Sequence, residues 1–89
     1  MKNKVLVRFV VPELNSSFDA FLPVNEIMWK VKKMVAKSIY DISGGAFSTD
    51  KEYTLINMEN NRVYKNNEVI IDTDIRNASQ ILIISNKNI

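Results

Sequence analysis

One segment with helical periodicity, set among short segments that alternate with period two, constrains this chain most. Ile27, Val31, Met34, Val35, Ser38, Ile39 and Ile42 fall on one arc at helical spacing. Asn25 is the residue type that caps a helix, because its side-chain oxygen can accept an orphan backbone N–H. Glu26 in the first turn suits the positive end of the helix dipole. Gly44-Gly45 supplies the left-handed residue that ends a helix. The spacing therefore predicts one helix from Asn25 to about Ser43. A lone helix with so broad an apolar arc needs a sheet to cover it.

The flanking segments supply that sheet. Lys4 to Val10 is rich in β-branched residues, and Arg8 assigns its faces, with Val5, Val7 and Phe9 inward. Pro12 to Ser17 is turn chemistry. Phe18 to Leu22 follows as a second strand, with Phe18, Ala20 and Leu22 inward and Asp19 in water, so the two form a hairpin. After the helix, Ala46 to Lys51 reads as a loop. Glu52–Asn57 reads as a third strand with Tyr53 and Leu55 alternating against Thr54 and Ile56, and Arg62–Tyr64 as a short fourth. Val69 to Ile75 is a connection with one short helical turn, and Gln80–Ile84 is the last strand. The expectation is a single α+β domain over residues 1–85, with five strands in a mixed sheet packed on one main helix in the order β-β-α-β-β-turn-β. Residues 86–89 are expected to form a short frayed tail.

Composition removes whole classes of function. The 89 residues contain no Cys and no His. Disulfides and thiolate chemistry are thereby excluded, and the commonest general base and metal ligand are missing. No phosphate-cradling glycine loop, Ser/His/Asp set or metal-ligand spacing occurs. No catalytic, cofactor or metal residue is expected, and the chain reads as no enzyme. Asp72 and Asp74 lie close together, but carboxylates so placed also serve as turn residues. The net charge is +2 and the lysines are spread along the chain, which makes no case for nucleic acid. No stretch approaches the ~20 apolar residues of a membrane span, and no leader pattern is read, so the expected compartment is the cytoplasm. The abundance of Asn, Lys and Ile, whose codons are AT-rich, suits a low-GC bacterium.

The order and spacing of these segments resemble the ubiquitin-like β-grasp fold. Ile70, Asp72, Ile75, Ser79, Ile81 and Ile83 match the ubiquitin pattern without a gap, and Val5, Val7, Ile27 and Val31 fit it at the front. A nearer resemblance is to the YukD/EsaB group of small bacterial ubiquitin-like proteins. It is carried by Phe18-Asp19-Ala20-Phe21-Leu22-Pro23-Val24-Asn25 and by Tyr40-Asp41-Ile42-Ser43-Gly44-Gly45. That resemblance implies an accessory or adaptor protein of a type VII (ESX-like) secretion system of Gram-positive bacteria. Such a protein acts by protein contact in the cytoplasm, at the membrane only through a partner. The alternative is a ubiquitin-like modifier or sulfur carrier. Those proteins work through a C-terminal Gly-Gly, whereas the sequence here reads Ser85-Asn86-Lys87-Asn88-Ile89, which disfavours that role.

If the chain binds proteins, strand parity says where. With Leu55, Ile81 and Ile83 inward, Ile56, Leu82 and Ile84 point outward and share a face with Leu6, Arg8 and Val10. Ile56 and Ile84 fall where ubiquitin carries two of its recognition residues, and Leu82 where it has a histidine. Leu6, Arg8, Ile56, Leu82 and Ile84 are the first candidate docking patch, against the plainer reading that exposed β-branched residues express strand propensity. Two copies could also pair on this face as a homodimer. The second candidate is a helix stripe of Trp29, Lys33, Ala36 and Tyr40, opposite the core arc. Its plainer readings are a hydrophobic staple between Val24 and Trp29, or cover from the Ala46–Lys51 loop through Phe47. Lys30, Lys33 and Lys37 read most simply as a solvated face.

Overall fold

The computed structural model describes residues 3–86. Strand β1 (Lys4–Val11) turns through a short 3-10 segment at Pro12–Leu14 into β2 (Ser16–Pro23). Asn15 takes the left-handed conformation in that turn and donates its N–H to the Pro12 carbonyl. Helix α1 (Met28–Ile42) follows, then β3 (Tyr53–Asn57), a 3-10 turn at Ile70–Asp72, and β4 (Ser79–Ser85). The sheet runs β2-β1-β4-β3. The hairpin β1–β2 and the pair β3–β4 are antiparallel, and the central pair β1–β4 is parallel.

The sheet has four strands where the sequence predicts five. Arg62–Tyr64 meets β3 only through a single bridge, Ile56 to Val63. Two backbone hydrogen bonds complete it, from Asn57 to the Arg62 carbonyl and from Tyr64 to the Leu55 carbonyl. The left-handed Asn61 turns the chain sharply before it, and the chain then leaves the sheet because residues 66–68 are needed at the helix.

That need explains a second difference. The helix is capped not by Asn25 but from a distance. Its N-cap is Ile27, without a side-chain cap. The Met28 N–H donates to the Glu68 carbonyl at 2.7 Å and the Trp29 N–H to the Asn66 carbonyl at 3.1 Å. Bonds from Ile70 to Glu26 and from Ile71 to Val24 continue the clasp. Backbone carbonyls brought by the fold thus satisfy the orphan donors that a local side chain would otherwise meet. The staple positions move with the cap, so Val24 and Trp29 do not form one. The far end agrees with the sequence reading. Gly44 and Gly45 both have positive φ, and Gly45 donates to the Tyr40 carbonyl at 2.8 Å, the long bond of a Schellman cap.

The core lies between α1 and the concave sheet face. Val7, Phe9, Leu22, Leu55, Ile81 and Ile83 point into it from the strands, as parity predicts. From the helix come Met28, Val31, Val35, Ala36 and Ile39. The buried arc is rotated relative to the expected one: Met34, Ser38 and Ile42 are exposed, while Ala36 is buried. The cause is the Ala46–Lys51 connection. Phe47 is fully buried and stacks on Tyr53, with ring centroids 4.7 Å apart, so the core extends to the Ala36 side of the helix. Asn86, expected in the frayed tail, donates its N–H to the Glu52 carbonyl, and the rest of that tail lies outside the described residues.

Candidate functional site

On the convex sheet face the register assembles a row across three elements. Val10 is opposite Leu82, Leu82 opposite Ile56, and Ile56 bridges Val63. Ile84 follows Leu82 on the same face, because residues two apart on a strand point the same way. All are partly or fully exposed. The structure thus brings together Ile56, Leu82 and Ile84 and adds Val10 and Val63. Leu6 stands apart with its partner Phe21, both exposed. Between the two apolar groups lies Arg8, whose Nε donates to Asp19 Oδ1 at 3.0 Å. That hydrogen bond raises the arginine and holds the Asp19 carboxyl below its usual range. The five-residue patch read from sequence is therefore a larger apolar cluster and a smaller one, divided by a cross-strand ion pair.

The helix stripe divides too. Trp29, Lys33 and Tyr40 are exposed, while Ala36 is buried. Eleven residues of helix, about 16 Å at 1.5 Å each, separate Trp29 from Tyr40, whose ring lies over Gly45 instead. Trp29 and Lys33 belong to a groove between α1 and the Thr49–Tyr53 segment, with a volume of about 360 Å³. Lys32 lines it as well, donating to Asn66 Oδ1 at 2.7 Å. Burial there draws the Lys32 ammonium below the ordinary lysine value, and nearby Glu52 partly offsets this.

A third cluster holds the β3–β4 connection. Tyr64 is buried; its hydroxyl donates to Asp74 and accepts from Asn57 Nδ2 at 3.1 Å. Asp74 also accepts from Asn60 at 2.7 Å and pairs with Arg62 at 3.4 Å. Burial, then the bond to Asp74, pushes Tyr64 up to about 12, while the Tyr64 hydroxyl holds Asp74 down. No buried polar side-chain atom among the described residues lacks a partner, so the cluster is a closed structural latch. Among the described residues no metal-holding group of acidic side chains occurs.

No family model matches the chain, and no curated protein does. Solved structures do. The N-terminal ubiquitin-like domain of the 4931431F19Rik protein shares 15% identity and superposes with a TM-score of 0.73, over 97% of this chain and 78% of that one. The fold is ubiquitin-like. The EccD5 ubiquitin-like domain from Mycobacterium xenopi matches at 6% identity with a TM-score of 0.70, over 97% of this chain and 98% of the other. A chain of the ESX-5 inner membrane complex matches at 13% identity and a TM-score of 0.68, over 98% of this chain and 22% of that one. A chain of the toluene 4 monooxygenase HD complex matches at 10% identity and a TM-score of 0.75, over 93% and 99%. One fold thus serves unrelated assemblies, and function must be argued from surfaces.

Within this ubiquitin-like frame, several site residues escaped the sequence reading. Phe21 was legible, since the parity that sends Ala20 inward sends Phe21 out. Val63 was not, because a single bridge carries no alternation. Lys32 and Asn66 meet across 34 residues, a pairing without a local signal. Asp72, one of the positions that match the ubiquitin pattern, is exposed, and the Asp74 side chain carries the hydrogen bonds instead.

Proposed function

We propose that this chain is a non-catalytic ubiquitin-like adaptor of a type VII-like secretion system, akin in role to the YukD/EsaB group, and that it docks a protein component of the machine on its convex sheet face. The observation that carries the reading is the row Val10, Leu82, Ile56 and Val63 with Ile84 beside it, an apolar surface on rigid paired strands with a charged rim at Arg8 and Asp19. Four of these side chains are half-buried and Val63 is exposed, and apolar residues grouped on one face are the kind of surface at which proteins interact. The likeness to the EccD5 domain and to a chain of the ESX-5 inner membrane complex supplies the setting. Among the described residues no helix is long and apolar enough to cross a membrane. In this reading the adaptor works in the cytoplasm and meets the membrane through its partner.

The test is co-purification with identified components of a type VII inner-membrane assembly. The native chain is expected to co-elute with such a component. Ile56→Asp with Leu82→Asp, checked for folding by circular dichroism, should bind about a hundredfold more weakly, as loss of two central apolar contacts implies. Val63→Asp, at a 54% exposed position, serves if the double variant does not fold. Equal binding by the folded variants would overturn the sheet-face site. A ladder of covalent adducts would replace the adaptor with a modifier.

A further inference from the structure

The groove beside Trp29 is independent of the sheet-face patch and lies on the helix side of the molecule. Trp29 is 42% exposed although it is the sole tryptophan of the chain. Its ring is flanked by the ammonium groups of Lys30 and Lys33, 5.4 and 5.5 Å from the centroid. Lys32 and Lys51 line the same groove. Among the described residues, Lys37 is the only lysine in an ion pair, so Lys30 beside the ring and the three lysines of the groove all keep charge to offer. Asp50 and Glu52 flank Lys51 on the facing segment, so three lysines line the groove against two carboxylates, with Lys30 a fourth cation beside the Trp29 ring.

The floor is built in advance. The Trp29 N–H is held by the Asn66 carbonyl, and the Asn66 side chain holds Lys32 from across the groove. These bonds fix the Trp29 backbone and the Lys32 side chain in advance, which lowers the entropic cost of binding at those two positions. Tryptophan is also among the residues enriched at interface hot spots. A single aromatic ring offers no series of bases a stacking platform, which disfavours single-stranded nucleic acid.

We propose that this groove binds an acidic peptide segment of a protein partner, with an apolar side chain of the segment on Trp29 and its carboxylates on the surrounding lysines. Such a segment would occupy the molecule at a site separate from the sheet face, so the adaptor could hold two partners, or two parts of one, at once.

Because Trp29 is the sole tryptophan, its emission reports on the groove alone. The probe is a short unlabelled peptide of glutamates around a central Phe-Leu pair, with a lysine counterpart as control. The glutamate peptide is expected to change Trp29 emission saturably. Lys32→Glu with Lys33→Glu should weaken binding about tenfold, the sum of a few exposed charge contacts, and added salt should weaken it likewise. The folded Ile56→Asp, Leu82→Asp variant should bind the peptide as the native chain does. No saturable change, equal affinity for the lysine peptide, or undiminished binding by the charge-reversed variant would each overturn the proposal. So would a response confined to phosphatidylserine vesicles or to a single-stranded oligonucleotide. Should charge reversal prevent folding, Lys33→Ala and the salt titration of the native chain decide: salt-independent binding overturns the proposal.

Discussion

Tyr64 joins three segments through one hydroxyl: Asn57 at the end of β3, its own position after the turn, and Asp74 beyond the 3-10 turn. Removing that hydroxyl leaves buried Asn57 without an acceptor for its Nδ2. Tyr64→Phe is expected to cost about 1–3 kcal/mol, the penalty of an orphaned buried polar group, measured by urea denaturation near neutral pH. The same residue predicts alkaline behaviour. Its pKa is raised from 10.0 to about 12 in the fold, so its stabilisation is whole below pH 10.0. That stabilisation is lost as pH rises through about 12, because the unfolded chain gives up the proton first. Denaturation midpoints should fall across that window, and the fall should be shallower in Tyr64→Phe. Asp74 acts in the opposite direction: its lowered pKa stabilises the fold above the ordinary carboxylate range and loses that effect in acid. The sequence showed the two carboxylates and their turn setting. It did not show which was bonded, because Asp72 and Asp74 differ only in which way the chain turns them.

Helix α1 has one end written locally and one end made by the fold. At the C-terminus, Gly44 at φ 67 meets no neighbouring atom where a side chain would go, so Gly44→Ala should cost only the left-handed strain of about 1 kcal/mol. At the N-terminus, the asparagine expected to cap donates nothing to helix stability. Asn25→Ala should change stability by less than about 0.5 kcal/mol, as exposed sites do, instead of the roughly 0.5–2 kcal/mol a true cap is worth. Thermal melts of the two variants side by side separate a local cap from a tertiary one. The C-cap was legible because a left-handed residue needs glycine wherever the helix stops. The N-cap was not, because its acceptors come from Asn66 and Glu68, some forty positions away. The rotation of the apolar arc has the same origin, since periodicity measures which residues are apolar but not what packs beside them.

The molecule folds around one cluster to which every strand and the helix contribute, with a radius of gyration of 12.2 Å, near the roughly 12 Å of a single compact body this long. Phe47, which one sequence reading takes as cover for the helix stripe, is at its heart. Phe47→Ala should cost about 3–5 kcal/mol, a large part of the roughly 5–15 kcal/mol a small domain has, and should lower the urea midpoint accordingly. By itself the sequence determined the strand faces, the hairpin, the helix and its glycine stop, the order of elements and the outward set Ile56, Leu82 and Ile84. Each of these rests on alternation or on a conformation that one residue type prefers, and such signals are carried by neighbours in the chain. Only the tertiary structure decided the strand count, the helix cap, the burial of Ala36, the choice of Phe47 over a Val24–Trp29 staple, the Asp74 latch and the groove at Trp29. Each of those depends on hydrogen bonds or packing between residues far apart in sequence, where a local pattern holds no information about the partner.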